Sequence, residues 1–208
     1  MHFAAKDVTC IRGDRLVFAD LSFALASGEA LLLRGRNGSG KSSLLRIAAG
    51  LLEPASGSLI LDDVDRLADP DRFRDAVAYV GHLDPLKAVL SIAENLDFWW
   101  RLHGRRGTVD AALARFGLDD LAAIPARYLS AGQRRRVNLA RLFVAPAPLW
   151  LLDEPTTGLD AASIAALVDA IAEHRGGGGA VMVATHIDID LPGHRTLALD
   201  AVAAGGAP

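Results

Sequence analysis

The sequence contains very little cysteine and no long hydrophobic run, and both shortages limit what the chain can be. Its single cysteine, Cys10, excludes a disulfide within the chain and a cysteine-based metal cluster, which fits a reducing cytosol. Although 51% of the residues are hydrophobic, no run reaches the ~18 apolar residues that indicate a membrane-spanning helix. The first residues lack the apolar core of a signal peptide. We therefore expect any membrane connection to come through a partner.

The charge of the chain is nearly balanced and shows no basic block. Lys and Arg total 22 against 25 Asp and Glu, a net charge of −3, so nucleic acid is not predicted as a partner. The length of 208 residues suffices for one substantial core with an inserted subdomain.

The most informative stretch lies between an apolar run, residues 31–33, and a predicted helix, Ser43–Ala49. Its pattern G-x-x-x-x-G-K-[ST], between a strand and a helix, is that of a phosphate-binding loop. It consists of Gly35, Arg36, Asn37, Gly38, Ser39, Gly40, Lys41 and Ser42, with Ser43 next on the helix. Glycines at 35, 38 and 40 allow positive φ and close approach of the main chain, and backbone N–H groups at a helix N-terminus attract anions. Lys41 is expected to reach the β- and γ-phosphates and the Ser42 hydroxyl to coordinate Mg²⁺. The stretch predicts a nucleoside triphosphate site.

A second part of such a site follows an apolar run at residues 149–152. This run is typical of a strand buried on both faces, and it delivers Asp153 and Glu154 at its carboxyl end, where ligands bind in open α/β sheets. Another buried strand, Ala180–Thr185, ends in His186. Together these segments predict a P-loop ATPase.

The rest of the chain supplies further strands and helices. Short β-like pieces at Phe3–Thr9, Leu16–Phe18 and Leu21–Leu25 predict a small antiparallel layer. Other predicted elements are strands at Gly57–Leu61, Ala76–Val80 and Leu197–Leu199 and an amphipathic helix at Ala161–Arg175, with Gly50 as a C-cap for the first helix.

From Asp84 to about Arg127 the pattern becomes helical. Ser91 and Glu94 have capping-box spacing, and a second helix is predicted at Val109–Phe116. The aromatic run 98–100 in this segment has two interpretations: a small helical core, or a surface that docks another protein.

Ser130 and Gln133 also have capping-box spacing and open a helix that ends before Pro146. The three arginines at 134–136 on this helix are interpreted as a solvated basic face near its phosphate-facing end.

In their order and spacing, the phosphate loop, Leu129–Gln133, the acidic pair and His186 resemble the nucleotide-binding subunits of ABC transporters over essentially the full length. The resemblance implies an α/β P-loop NTPase fold with an antiparallel β subdomain and an inserted helical subdomain. Residues 1–208 would form one nucleotide-binding domain, with a RecA-like core at about 1–83 and 145–208 and the helical subdomain at about 84–144.

The resemblance also implies roles for particular residues. Asp153 would help to hold Mg²⁺, Glu154 would act as the general base, and His186 would contact the γ-phosphate and the attacking water. The signature Ser130, Ala131, Gly132 and Gln133 would touch ATP bound to the other protomer, and Asp160 lies in a loop that crosses the dimer interface. ATP would therefore close a homodimer, and hydrolysis would release it.

Two positions depart from the common family pattern. His82 stands where most members have a glutamine that links Mg²⁺ and water to the helical segment, and Arg12 stands where an aromatic ring stacks on adenine. An imidazole can titrate near neutrality, and a guanidinium can also stack on a base.

At both positions the chain resembles the ATP-binding subunits of the haem exporter of bacterial cytochrome c maturation. The same subunits are resembled by the stretches 94–98 and 129–137 and by the tryptophan at 150. This resemblance implies a permease of the CcmB type, a haem-handling membrane protein of the CcmC type, and a peripheral place on the cytoplasmic face of the inner membrane. ATP hydrolysis would then serve haem delivery or release of a haem-loaded chaperone.

The sequence leaves three alternatives open. One is the ATPase of an ABC transporter with another cargo; a second is an ABC-type ATPase that acts on ribosomes or DNA. The third is a P-loop kinase, which would not need the signature at 130–133.

Overall fold

The computed structural model describes residues 1–104 and 107–199. The strands are β1 (His2–Arg12), β2 (Arg15–Ala26), β3 (Ala30–Arg34), β4 (Ser56–Leu61), β5 (Val64–Asp65), β6 (Val77–Val80), β7 (Leu149–Asp153), β8 (Ala180–Ala184) and β9 (Arg195–Ala198). The helices are α1 (Lys41–Ala48), α2 (Pro70–Asp75), α3 (Ile92–Leu102), α4 (Val109–Arg115), α5 (Ala131–Val144) and α6 (Ala161–Gly176). Residues 200–208, the end of the predicted core segment 145–208, lie outside the described residues.

The first sheet is antiparallel, in the order β2-β1-β4-β5, which confirms the predicted layer. The two pieces predicted at 16–18 and 21–25 belong to one strand, β2. The pairing of β1 with β2 shifts register between Ala5 and Val8 and again beside Cys10, and Asp7 and Asp20 have φ of 50° and 51°. Such bulges interrupt the alternation of inward and outward side chains. One irregular strand therefore looks like two in the sequence.

The second sheet is parallel along its ladders, in the order β6-β7-β8-β3-β9. Every residue of β7 and β8 is buried, as the continuous apolar runs predicted. One hydrophobic core lies between this sheet, α1 and the antiparallel sheet, and a second core on the opposite face joins the sheet to α3, α4, α5 and α6. Because both faces are covered, functional groups can emerge only at the strand ends.

Several boundaries differ from the prediction. Helix α1 begins at Lys41 rather than Ser43, and its C-cap is Ala49, with Gly50 next at φ 68°. Strand β9 begins two residues earlier than predicted. Strand β5 and helix α2 were not predicted, because they are too short to show a period. Asp69 caps α2 by accepting a hydrogen bond from the Arg72 backbone N–H at 3.1 Å.

Both predicted capping boxes are confirmed. The Ser91 hydroxyl accepts from the Glu94 N–H at 3.2 Å, and the Glu94 carboxylate accepts from the Ser91 N–H at 2.7 Å. Ser130 and Gln133 form the same pair at 3.2 and 2.8 Å. These reciprocal bonds satisfy N–H groups that would otherwise lack partners at the start of α3 and α5.

The aromatic residues 98–100 on α3 do not all fit the same interpretation. Trp99 and Trp100 pack against the second core, whereas Phe98 is 44% exposed and Leu102, one turn later, 61% exposed. A docking role is thus left to Phe98 and Leu102. In the part of the chain that the structure describes, no helix combines the length and apolar character needed to cross a bilayer.

Candidate active site

The carboxyl ends of three neighbouring strands, β3, β7 and β8, bring the predicted residues together. In the ladder, Asp153 of β7 and Leu33 of β3 both pair with Ala184 of β8. The phosphate loop follows β3, Glu154 follows β7, and His186 stands two residues beyond β8. The parallel register alone therefore places these segments at one edge of the sheet.

The phosphate loop has the backbone geometry that its glycines predicted. Gly35, Gly38 and Gly40 have φ of 149°, 82° and 100°, and Gly40 is the N-cap of α1. A Cβ at Gly40 would lie 2.5 Å from the Val17 Cγ1 atom of β2. Glycine is therefore required there both for the backbone angle and for close packing of the loop on the antiparallel sheet.

Polar groups in the loop suit an anion. Lys41 is 7% exposed, and its ammonium donates to the Gly35 and Arg36 carbonyls at 2.7 and 3.1 Å. The first turn of α1 carries no acidic residue. The Ser39 hydroxyl is buried without a hydrogen-bond partner among the described residues. A phosphate group would satisfy these donors and the helix dipole together.

Ser42 and Asp153 meet across the start of α1 and the end of β7. The Ser42 hydroxyl donates to Asp153 Oδ1 at 3.0 Å, and the Tyr79 hydroxyl lies 3.5 Å from Asp153 Oδ2. Asp153 is 2% exposed, and burial raises the pKa of Tyr79. A hydroxyl beside a carboxylate offers the hard oxygen ligands that Mg²⁺ prefers, so these two residues fit the predicted metal role.

Glu154 and His186, for which the resemblance predicts the roles of general base and γ-phosphate contact, lie against each other. His186 Nδ1 lies 3.2 Å from Glu154 Oε1, and the His186 backbone N–H donates to Glu154 Oε2 at 3.4 Å. Glu154 has φ of 48°, an unfavourable angle for a residue with a Cβ. Its N–H donates to the Ala184 carbonyl at 2.7 Å. The strained backbone thus turns the carboxylate from the strand towards the imidazole.

Glu154 and His186 share one cavity of about 380 Å³ with Lys41 and Ser42. Predicted Asn37, Gly38, Gly40 and Ser43 also line it. Arg12 lines it as well, together with Arg15 and Val17, which were not predicted. His82 is exposed and lines another cavity of about 420 Å³, beside Tyr79, Trp99 and Arg141. The structure therefore brings Arg12, but not His82, into the pocket with Glu154.

The predicted signature lies at the N-terminus of α5 beside the loop that carries Asp160. A Cβ at Gly132 would be 2.7 Å from the Gly158 carbonyl oxygen, so the two segments are in close contact. Asp160 caps α6 by accepting from the Ser163 N–H at 2.8 Å. Hydrogen bonds from the side chain and backbone of Ser163 lower the pKa of Asp160. The signature and the loop that carries Asp160 therefore form one continuous surface.

The solvated basic face predicted at 134–136 is wrong for Arg135, which is buried, whereas Arg134 and Arg136 are half-buried. Arg135 is 4% exposed and donates to the backbone carbonyls of Gly81 and of residues 153–155. Arg134 and Arg136 donate to the Leu129 and Phe116 carbonyls at 2.6 and 2.9 Å. Sequence periodicity missed Arg135, because a buried arginine is recognisable only when its acceptors, distant in the chain, are known. Arg15 was missed because nothing in the sequence showed that the β1–β2 turn reaches the loop.

The comparisons with known proteins agree with this geometry. The sequence profile of the ABC transporter family matches residues 18–157. The cytochrome c biogenesis ATP-binding export protein CcmA of Paramagnetospirillum magneticum is 57% identical over 203 residues, covering 95% of this chain and 94% of the relative. The CcmA of Rhodospirillum rubrum is 59% identical over 199 residues, covering 95% and 85%.

Solved structures give the same result. An ATP-binding subunit of an ABC transporter matches with a TM-score of 0.83 at 27% identity, covering 90% of this chain and 80% of that one. A dimeric ATP-binding cassette in a post-hydrolysis state, bound to ADP and Pi, matches with a TM-score of 0.81 at 25% identity, covering 94% and 93%. The predicted fold class is confirmed. This chain belongs to the ABC transporter family of ATP-binding proteins and, within it, to the group of the cytochrome c biogenesis ATP-binding export proteins.

Proposed function

We propose that this chain is the ATP-hydrolysing subunit of a transporter complex for haem export in cytochrome c maturation. The observation that carries the proposal is the Glu154 carboxylate held 3.2 Å from the His186 imidazole, in one cavity with the phosphate-loop lysine. A carboxylate oriented by a histidine beside a phosphate site favours activation of water over transfer to a larger acceptor. The identity to export proteins of cytochrome c biogenesis supports the cargo.

In this mechanism each residue acts on ATP or on water. Lys41 exchanges its contacts with the Gly35 and Arg36 carbonyls for the phosphates, and loop N–H groups hold the same oxygens. Ser42 and Asp153 would hold Mg²⁺, which neutralises charge on the phosphates. Glu154 accepts a proton from the attacking water, an effect of typically ~10²–10⁴-fold. His186 orients Glu154 and contacts the γ-phosphate. We also propose that His82 contacts the metal and the water.

Hydrolysis requires two copies of the chain in this proposal. Ser130, Ala131, Gly132 and Gln133 complete the site of the partner protomer, and Asp160 lies in the loop between the two sites. The contact between Gly132 and Gly158 supports joint movement of these segments. ATP therefore stabilises the closed dimer, and product release opens it.

The complex further contains a permease of the CcmB type and a haem-handling membrane protein of the CcmC type. They would hold the chain at the cytoplasmic face of the inner membrane, where the half-exposed Phe98 and exposed Leu102 offer α3 as a contact surface. We divide the chain into a core at about 1–83 and 145–208 and a helical subdomain at about 84–144. The second core, which joins α3–α5 to the sheet, supports coupling between the two.

The experiment is a host whose only copy of the gene carries Glu154→Gln. We expect mature c-type cytochromes to disappear and the haem-loaded chaperone to accumulate. Glu173→Gln is the matched control, because it makes the same chemical change on an exposed helix position, and it should leave cytochromes at wild-type levels. Normal cytochromes in the Glu154→Gln host would mean an ABC transport ATPase with another cargo.

A further inference from the structure

One buried arginine joins the two loops that carry Glu154 and His82. Arg135 Nη2 donates to the Asp153 and Glu154 carbonyls, both at 2.8 Å, and Nε donates to the Pro155 carbonyl at 3.3 Å. Nη1 donates to the Gly81 carbonyl at 2.6 Å. A single guanidinium thus fixes three consecutive peptide groups after β7 and one after β6.

The peptide groups held by Arg135 include the strained one. Glu154 keeps its left-handed backbone only if its neighbours hold it. Its N–H is fixed by the Ala184 carbonyl and its C=O by Arg135. With both peptide groups anchored, the direction of the Glu154 Cα–Cβ bond is fixed, and the side chain leaves the backbone on the side of His186.

The charges around Arg135 indicate that it does more than stabilise the fold. The counter-charge is Asp84, whose Oδ1 lies 3.4 Å from Arg135 Nη1 and also accepts from the Asn138 side chain at 2.9 Å. A buried ion pair is often no more stabilising than apolar residues of similar size. The planar guanidinium of arginine, however, presents several N–H donors in a fixed arrangement, which a smaller side chain cannot do.

The position of Arg135 adds a link to the signature. It lies on α5, about one turn after the capping box at Ser130, so a rotation of α5 moves the guanidinium and the carbonyls bound to it. Its neighbours Arg134 and Arg136 donate to the Leu129 and Phe116 carbonyls instead. The three arginines therefore form a natural set of test and controls.

We propose that Arg135 is a positioning residue for the general base: it holds the backbone of Asp153–Pro155 and Gly81 together, so that Glu154 follows the movement of α5. This proposal rests on the proposed function, because it assumes that Glu154 activates water. Arg135 is not among the residues that line the cavity with Lys41, Glu154 and His186, so it would act through Glu154 and not on ATP or water directly.

The first test compares Arg135→Gln and Arg135→Lys with Arg134→Gln in the purified full chain. We expect kcat for ATP hydrolysis to fall by ~10²-fold in Arg135→Gln, since a small misplacement of a catalytic group has that effect, with the KM for ATP nearly unchanged. Arg135→Lys keeps the charge beside Asp84 but not the planar guanidinium, and it should lose about 10-fold. Arg134→Gln should hydrolyse ATP within about 3-fold of the wild-type rate.

Two further measurements separate positioning from general loss of structure. Hydrogen exchange of the Glu154 amide should accelerate in Arg135→Lys and stay unchanged in Arg134→Gln. The double variant Arg135→Gln/Glu154→Gln should turn over no more slowly than Glu154→Gln alone, because residues that act through one another are not additive.

The proposal is overturned by equal losses in Arg135→Gln and Arg134→Gln, by an effect confined to KM, or by additive losses in the double variant. It is also overturned if Arg135→Lys lowers the melting temperature enough to explain its lost activity. Failure of the proposed function looks different: the wild-type chain would not hydrolyse ATP, or Glu154→Gln would leave the rate unchanged.

Discussion

The candidate site has two ends that come from different sheets and differ in construction. At the parallel sheet, Lys41 and Asp153 are nearly buried, and contacts of 2.7–3.5 Å join Lys41, Ser42, Asp153 and Tyr79 to their partners. At the antiparallel sheet, the pocket is lined by Arg12 and Arg15, both exposed. The end with Lys41 and Asp153 is fixed by burial, whereas the end that we expect to hold the nucleobase consists of exposed side chains that can adjust.

The ladders explain this difference. Strands β7 and β8 pair without a break from Leu149 to Asp153, so the positions of Asp153 and Glu154 follow from the register. Strands β1 and β2 change register three times before their turn. The turn of this ribbon faces the pocket with the exposed side chains of Arg12 and Arg15. Hydrolysis needs catalytic groups placed to within about 1 Å, whereas contact between an exposed guanidinium and a flat nucleobase does not.

The strongest test of the rigid end is Glu154→Gln. The amide cannot accept the proton, so we expect kcat to fall by ~10²–10⁴-fold while ATP binding remains. An ATP-bound dimer should accumulate and can be seen by size-exclusion chromatography with and without ATP. Turnover at the normal rate would remove Glu154 from the role of base.

Lys41→Ala changes the same end of the site, at the parallel sheet, but is expected to affect ATP binding and not catalysis. It removes a buried ammonium whose charge-assisted hydrogen bonds contribute ~1.5–3 kcal/mol each, so ATP affinity should fall by at least about 100-fold. Fluorescence titration with a labelled nucleotide measures the effect. Lys6→Ala, an exposed position on β1, is the control, and equal affinities of the two variants would contradict the phosphate role of Lys41.

The two ends meet at Gly40, which gives the next largest effect. Gly40→Ala forces a Cβ to 2.5 Å from Val17 and should destabilise the fold by ~1–3 kcal/mol beyond its backbone strain. Gly38→Ala is matched, because Gly38 also has positive φ but has no atom within 4 Å of a Cβ. The melting temperature of Gly40→Ala should lie below that of Gly38→Ala by about 3–10 °C. Equal melting temperatures would show that the loop can move away from β2.

The same contrast decides what the sequence could predict. Leu149–Leu152 and Ala180–Thr185 indicated buried strands, and the phosphate loop is a local motif; together they place Lys41, Asp153, Glu154 and His186 at one sheet edge. A capping box is equally local, which is why both were found. These features depend on neighbours within a few residues.

Features that depend on distant partners were not predictable. Arg135 looked like part of a basic face, since its acceptors lie 18–20 residues ahead after β7 and 54 residues back at Gly81. Bulges concealed the continuity of β2, and two short elements, β5 and α2, carried no period. The exposure of Phe98 next to the buried face of Trp99 likewise follows from how α3 packs on α5, not from the run of aromatics itself.

The smallest expected effect belongs to the adaptable end. Exposed guanidinium–ring contacts contribute ~0.5–1 kcal/mol, so Arg12→Ala and Arg15→Ala should each weaken ATP binding only about 2–5-fold. Because a guanidinium stacks on any base, GTP should bind within about 5-fold of ATP, and both arginine variants should lose affinity for the two nucleotides alike. Titrations with ATP and GTP, with Arg72→Ala as an exposed control on α2, measure this. A 100-fold loss of ATP affinity in Arg12→Ala, or a strong preference for adenine over guanine, would contradict this prediction. The β1–β2 turn would then hold the nucleobase as rigidly as the parallel sheet holds the phosphates.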